Sequence, residues 1–240
     1  MREVKEETLE IAGLRVIAVG DLESAEQVVV LLHGFQMQPS DLSPFAHSLR
    51  EPAWFLFPEA PLDADGGGRA WWHIDSKKRD AAIAKGPRDF AEQHPPDLPR
   101  ARAMLVALIE ELRARIGDRP LVLGGFSQGA MLTCDTVLRS SFDLSAMLLF
   151  SGSRIAFDEW EKLDASKRLK GLPVLVSHGR ADADLSFAAG TALHELLVAK
   201  GADVTWVPFD QGHEIPLVVW RTLRKFLAHR RSCGVTTPIA

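Results

Sequence analysis

The sequence has no excess of basic residues, because its 28 lysines and arginines are outnumbered by 32 aspartates and glutamates, giving a formal net charge of -4. A nucleic-acid-binding protein needs a cationic surface that neutralises phosphates. Cysteine is also scarce: Cys134 and Cys233 are the only two, and they lie far apart without a C-x-x-C spacing. These shortages argue against a nucleic-acid partner, a disulfide framework and a thiolate zinc site.

Long hydrophobic runs are missing as well. No stretch approaches the ~20 apolar residues of a membrane-spanning helix. The charged start, Met-Arg-Glu-Val-Lys-Glu-Glu, leads into no apolar segment of the kind that a secretory signal contains. We therefore expect no stable membrane insertion and a cytoplasmic location, where cysteines stay reduced.

What the sequence does contain is enough apolar material for one core, since 46% of its 240 residues are hydrophobic. The alternation of apolar residues from Leu9 to Ala18, with Gly13 in the middle, predicts an antiparallel hairpin. Short continuous apolar runs, which are typical of buried strands, follow at residues 28–32, 54–57, 121–123, 146–150, 174–176 and 204–207.

Helical patterns lie between these runs. The clearest spans residues 101–116, where apolar residues recur at the i, i+3, i+4, i+7 spacing of one buried face. Further patterns cover residues 129–138, 188–199 and 216–229. The alternation predicts an α/β fold with a doubly wound, mostly parallel sheet, preceded by the antiparallel hairpin, in a single domain of residues 1–240.

The segment 63–99 breaks this alternation. It carries three consecutive glycines at 66–68, the pair Trp71-Trp72 and the pair Pro95-Pro96, with little periodicity. Irregular segments of this length are uncommon and are usually functional or mobile. We expect an irregular, lid-like insertion here.

One motif points to chemistry. Gly125-Phe126-Ser127-Gln128-Gly129 fits the pattern G-x-S-x-G, directly between a predicted strand and a predicted helix. A serine on such a tight turn exposes its hydroxyl beside a helix N-terminus, and the crowded turn requires very small flanking residues. The pattern predicts a nucleophilic serine at the elbow of an α/β-hydrolase fold.

A serine hydroxyl needs a base to take its proton and a carboxylate to orient that base. His213 follows the last predicted strand and precedes the last helix, where this fold places the base, whereas the seven other histidines lie elsewhere. Two acids, Asp182 and Asp184, follow the strand at 174–176, and the residues alone leave the choice between them open. The oxyanion of the reaction needs two N–H donors, which we assign to Gln128 and, in the turn after the strand at 28–32, to Phe35.

Six segments together resemble the phospholipase/carboxylesterase family, which includes acyl-protein thioesterases and small carboxylesterases. They are Leu-Leu-His-Gly-Phe at 31–35, Phe-Pro-Glu-Ala-Pro at 57–61, Trp-Trp-His-Ile-Asp at 71–75, Gly-Gly-Phe-Ser-Gln-Gly at 124–129, His-Gly-Arg-Ala-Asp at 178–182 and Gly-His at 212–213. The resemblance implies Ser127 as nucleophile, Asp182 as the acid and His213 as the base. Arg180, Ala183 and the complete absence of tyrosine depart from the family pattern, so the resemblance is a weaker guide to substrate choice than to mechanism.

The expected activity is that of a serine carboxylesterase, with thioesterase or lysophospholipase activity as variants, acting through an acyl-enzyme without metal or organic cofactor. The alternatives are a non-catalytic acyl-ligand binding protein, or a dienelactone-hydrolase-like or peptidase activity on the same fold. We expect Trp71 and Trp72 to form one wall of the substrate site and short to medium acyl esters to be preferred. A small acyl ester or thioester is the expected partner, and the protein is expected to be a monomer or a homodimer.

Overall fold

The N-terminal alternation forms two antiparallel strands joined by a two-residue turn in the computed structural model, which describes residues 5–233, and their side chains up to residue 229. Ile11 pairs with Leu14, so Ala12 and Gly13 make the turn, and both have a positive φ (50° and 74°). Turns of this hand match the twist of the strands they connect. The Ala12 N–H also donates to the carboxylate of Glu111 at 2.6 Å.

The predicted apolar runs all lie in strands of one eight-stranded sheet. In chain order, the described residues form the ten strands β1 (Glu6–Ile11), β2 (Leu14–Val19), β3 (Gln27–Leu32), β4 (Ala53–Pro58), β5 (Leu62–Asp63), β6 (Arg69–Ala70), β7 (Leu121–Phe126), β8 (Ala146–Phe150), β9 (Pro173–Gly179) and β10 (Asp203–Phe209), of which all but β5 and β6 belong to this sheet. The order in the sheet is β1-β2-β4-β3-β7-β8-β9-β10, parallel from β4 onward, while β5 and β6 form a separate small hairpin. The predicted α/β fold, with its N-terminal hairpin, is confirmed.

Helices cover both faces of this sheet. They are α1 (Ser43–Leu49), α2 (Ser76–Ile83), α3 (Leu98–Ile116), α4 (Gln128–Arg139), α5 (Phe157–Lys162), α6 (Ser166–Leu169), α7 (Phe187–Ala199) and α8 (Leu217–Cys233), with a 3-10 turn at Pro39–Asp41. Buried side chains of α1 and α8 belong to one apolar core, and those of α3 to α7 belong to the core on the other face. Within the described residues, no helix is long and apolar enough to cross a membrane.

The segment 63–99 is more regular than its sequence indicates, because it holds the β5–β6 hairpin, α2 and the start of α3. Apolar periodicity does not reveal α2, because none of its residues is buried and the helix has no apolar stripe. Asp75 caps its N-terminus by accepting the N–H of Lys78 at 3.0 Å. The helix is therefore held by polar contacts and not by a core-facing side.

A buried carboxylate ties the helix that follows the G-x-S-x-G turn to its neighbours. Asp135 of α4 is fully buried and accepts hydrogen bonds from Arg102 of α3 at 2.5 Å and from Arg139 at 2.9 Å. The indole N–H of Trp160 in α5 donates to the same carboxylate at 2.8 Å. A buried carboxylate is tolerated when it is paired in this way. If its negative charge is removed, the positive charges of Arg102 and Arg139 lose their counter-charge.

We expect Asp135→Asn to lower the free energy of unfolding by about 3 kcal/mol, because the arginines lose their counter-charge in a partly buried setting. Urea unfolding followed by far-ultraviolet circular dichroism measures this change. Glu110→Gln, at an exposed position of α3, is the matched control and should stay within about 0.5 kcal/mol of the parent. A loss for Asp135→Asn no larger than the control's would contradict the role given to this carboxylate.

Candidate active site

Ser127 lies between the end of β7 and the start of α4. Its backbone has φ 53° and ψ -115°, a conformation that residues other than glycine rarely adopt. Such a conformation costs about 1–3 kcal/mol and persists only where surrounding contacts enforce it. The Ser127 N–H donates to the carbonyl of Phe150 in β8 at 2.8 Å, and its carbonyl accepts the N–H of Met131 at 3.1 Å. Both contacts anchor the turn to regular structure.

The two glycines of the motif are required by contact distances. A Cβ on Gly125 would lie 2.3 Å from the carbonyl carbon of Gly129, and a Cβ on Gly129 would lie 2.4 Å from the carbonyl oxygen of Leu32. Both distances are far inside van der Waals contact. The close approach of β3, β7 and α4 therefore dictates the spacing of small residues around Ser127.

The structure brings the three residues Ser127, His213 and Asp182 into one chain of hydrogen bonds. Nε2 of His213 lies 2.9 Å from Oγ of Ser127, and Nδ1 of His213 lies 2.6 Å from Oδ2 of Asp182. Asp182 comes from the loop after β9 and His213 from the loop after β10. These neighbouring parallel strands end at the same edge of the sheet as β7, which is where open α/β sheets bind their ligands.

Asp182 is surrounded by donors. Its Oδ1 accepts the backbone N–H groups of Asp184 and Leu185, each at 2.9 Å, and Nε2 of His178 lies 3.3 Å from its Oδ2. Burial opposes ionisation of this carboxyl, but the hydrogen bonds from His178 and His213 outweigh burial and hold the pKa of Asp182 well below its usual value. Asp182 is thus a fixed negative charge against His213.

His178 was not among the residues singled out from the sequence. Its ring is fully buried, and its Nε2 also lies 3.0 Å from the carbonyl oxygen of Leu185. The only available signal was its place in the His-Gly-Arg-Ala-Asp segment at 178–182.

Asp184, the competing acid, has different partners. Its carboxylate forms ion pairs with Arg79 at the start of α2 and with Arg88. Burial opposes its ionisation, yet the hydrogen bonds from Arg88 and Arg79 lower the pKa of Asp184. The geometry therefore favours Asp182 over Asp184 as the partner of His213.

The two predicted oxyanion donors lie beside Ser127. Gln128 is the next residue, and a Cβ on Gly34, the residue before Phe35, would be 3.2 Å from Cβ of Ser127. Within residues 5–229, the backbone N–H groups of Phe35 and Gln128 have no hydrogen-bond acceptor in the protein. Free N–H groups next to the serine are what an oxyanion hole requires.

His33 holds the turn that carries Phe35. Its Nε2 accepts the N–H of Ala60 at 3.1 Å and its Nδ1 lies 2.8 Å from the carbonyl oxygen of Gly34, a pattern that fits a neutral ring protonated on Nδ1. Burial lowers the pKa of His33 to about 4. The ring is therefore neutral at physiological pH.

Trp71 and Trp72 do not form a wall of the site, which corrects the expectation from sequence. Each side chain is only 1% exposed. The indole N–H of Trp71 donates to the carbonyl of His33 at 2.9 Å. The side chain of Gln128 accepts the Trp71 N–H at 2.8 Å and donates to the Trp72 carbonyl at 2.9 Å. Both tryptophans thus pack the 69–75 segment onto the core, because the Gln128 amide fixes their backbone.

The cleft that contains Ser127 and His213 has a volume of about 440 Å³. Its apolar lining includes Met37, Leu42, Phe45 and Ile215, and its charged lining consists of Asp41, Arg79, Asp184 and Glu214. The cleft therefore offers both apolar and charged side chains close to the serine.

A model of the phospholipase/carboxylesterase family matches residues 15–230. The chain belongs to this family. The acyl-protein thioesterase 1 of Kluyveromyces lactis is 30% identical over 176 residues, which cover 67% of this chain and 71% of that protein. The esterase YpfH of Escherichia coli is 25% identical over 207 residues, which cover 80% of this chain and 77% of that protein.

A solved structure, the esterase PE8, has a TM-score of 0.70 and 25% identity to this chain, covering 95% of this chain and 99% of that one. The resemblance found in the motifs is confirmed, and the chain is a carboxylic-ester hydrolase of the α/β-hydrolase fold.

We expect the free energy of unfolding to fall at acidic pH because His33 is neutral in the folded protein. A histidine in the unfolded chain binds a proton near pH 6.5, whereas the folded ring does so near pH 4, so stability present above pH 6.5 is lost as the pH falls toward 4. Between pH 7 and pH 5 this amounts to about 2 kcal/mol. His33→Asn, whose side chain does not titrate, should lose about 2 kcal/mol less than the parent over the same step in urea unfolding. Equal losses would show that His33 does not couple folding to pH.

Proposed function

We propose that the protein is a serine carboxylesterase in which Ser127 is the nucleophile, His213 the general base and Asp182 the residue that orients His213. The observation that carries this proposal is the chain of hydrogen bonds, 2.9 Å from Ser127 to His213 and 2.6 Å from His213 to Asp182. A binding protein has no use for a serine, an imidazole and a carboxylate in this order.

In the first half-reaction, Oγ of Ser127 attacks the acyl carbonyl while Nε2 of His213 takes the serine proton. The tetrahedral intermediate collapses when His213 gives this proton to the leaving alcohol or thiol, which leaves the acyl group on Ser127. Water then attacks the acyl-enzyme with His213 again as base, and Ser127 regains its proton as the acid leaves. Asp182 stabilises the imidazolium at each step and keeps its own negative charge, in line with its low pKa.

The oxyanion of each tetrahedral intermediate accepts hydrogen bonds from the N–H groups of Phe35 and Gln128. The position of Gln128 at the first residue of α4 adds the favourable end of the helix dipole. Loss of one such donor in serine hydrolases costs about 10²–10³ in kcat. Because both donors are backbone groups, their placement depends on the neighbouring turns and not on the identity of the two side chains.

The substrate is an acyl ester or thioester of short to medium chain length. The relatives include proteins named as an esterase and as a thioesterase. The same residues can expel either an alcohol or a thiol, since His213 protonates the leaving atom in both cases. The cleft is open and only moderately large, which favours a short or medium chain over a long enclosed one. A single domain and a cytoplasmic location stay predictions.

Ser127→Ala should reduce kcat for a p-nitrophenyl ester by about 10⁶-fold while leaving the fold intact, because one hydroxyl is removed and the elbow glycines are unchanged. Wild type should be labelled by a fluorophosphonate probe and the variant should not. Unchanged thermal unfolding of the variant is the control for folding. Turnover near a tenth of the wild-type rate, or labelling of the alanine variant, would refute Ser127 as the nucleophile.

The two acids make a matched pair. Asp182→Asn should lower kcat on the order of 10⁴-fold, because an amide cannot balance the imidazolium of His213. Asp184→Asn should lower kcat less than about tenfold, since it weakens ion pairs to Arg79 and Arg88 and leaves the triad in place. Steady-state kinetics on one ester compares the two variants. The opposite ranking would assign the orienting role to Asp184.

A further inference from the structure

A second apolar surface lies next to the catalytic cleft. Within residues 5–229, the large hydrophobic side chains that remain exposed are Val198, Leu217 and Val218, and two of these three are in the first turn of α8. Leu217 is 62% exposed and Val218 is 47% exposed. Exposed apolar side chains that cluster around a concavity often mark a binding surface.

Leu217 borders a groove of about 390 Å³ between α1 and α8. The groove is mainly apolar and contains Phe45 and Leu49 of α1 together with Ile215 and Trp220. The rings of Phe45 and Trp220 are stacked, with centroids 4.0 Å apart and planes 10° apart. The two helices thus present a stacked aromatic pair to the groove.

This groove adjoins the catalytic cleft. Phe45 and Ile215 contribute to both concavities, and Ile215 is two residues from His213. Arg79 and Asp184, which also line the cleft, form an ion pair. An alkyl chain directed toward that pair would remove water from the charges, which is costly, whereas a chain directed toward Phe45 enters a mainly apolar groove whose charged lining residues are Arg221 and Arg224.

We infer that the groove between α1 and α8 binds the distal methylenes of the substrate's acyl chain, with the carbonyl held at Ser127. The inference rests on the proposed function. The cleft takes the carbons nearest the carbonyl, and the chain then passes Ile215 and Phe45 to reach Trp220 and Leu217. Each methylene buried there raises kcat/KM by up to roughly fourfold. Medium-length acyl groups are therefore the best substrates.

The test compares p-nitrophenyl butyrate with p-nitrophenyl octanoate in wild type and three variants. Leu217→Ser removes the apolar side chain at the groove, and Val218→Ser makes the same kind of change at the adjacent exposed position that does not border the groove. Ser48→Trp, at an exposed position of α1 that borders the groove, fills it with a large ring. Thermal unfolding of each protein checks that the variant is folded. Fluorophosphonate labelling checks that Ser127 remains reactive.

Wild type should prefer octanoate over butyrate by more than about tenfold in kcat/KM. Leu217→Ser and Ser48→Trp should each reduce this preference by at least about fourfold, and Val218→Ser should change it by less than about twofold. An unchanged preference in both groove variants that are still labelled would overturn the groove assignment and leave the proposed function standing. Absence of Ser127-dependent turnover in wild type would overturn both.

Two further measurements test whether the groove binds the leaving group or a second copy of the chain instead of the acyl chain. Acetate esters of ethanol to octanol vary the alcohol at constant acyl group, and a preference that rises with alcohol length but not with acyl length would place the leaving group in the groove. Light scattering gives the oligomeric state, and a wild-type dimer that Leu217→Ser dissociates, with the chain-length preference unaltered, would assign the groove to a second copy of the chain. Either result would refute acyl binding there.

Discussion

The strained backbone at Ser127 is the constraint on which the rest of the site depends. A positive φ at a serine is unfavourable by itself, so the conformation must be imposed by the strands and the helix that meet there. Gly125 and Gly129 let β3, β7 and α4 approach to backbone contact, and the carbonyl of Phe150 fixes the serine N–H. Ser127 is consequently positioned by the register of the central strands β3, β4, β7 and β8, whose residues are all buried.

The same register explains why the partners of Ser127 meet although they are far apart in sequence. Phe209 pairs with Gly179 at the ends of β10 and β9, so the two loops that follow begin side by side. Backbone hydrogen bonds then join the loops, from the Arg180 N–H to Phe209 and from the Ala181 N–H to Gln211. Because these loops lie side by side, Asp182 and His213 can approach to their contact distance of 2.6 Å.

Most of the sheet and the positions of Ser127 and His213 could be predicted from the sequence, because apolar periodicity and the G-x-S-x-G spacing are local patterns. The environment of Trp71 and Trp72 could not. Their burial depends on the Gln128 side chain, which lies more than fifty residues further along the chain and carries no local signal. Helix α2 could not be predicted either, because a helix without buried residues has no apolar stripe in its sequence.

The burial of both tryptophans removes them from the candidate determinants of substrate selectivity. With the 69–75 segment packed into the core, the part of 63–99 that reaches the cleft is α2, and it does so through Arg79. Arg79 and Arg88 both bind Asp184, while the backbone N–H of Asp184 binds the carboxylate of Asp182. The turn at 182–185 thus connects α2 to Asp182, whose carboxylate contacts His213. On the proposed function, Arg79 and Asp184 are thereby linked to the carboxylate that contacts His213, and we expect acyl-chain selectivity to depend instead on the apolar side chains beside α1 and α8.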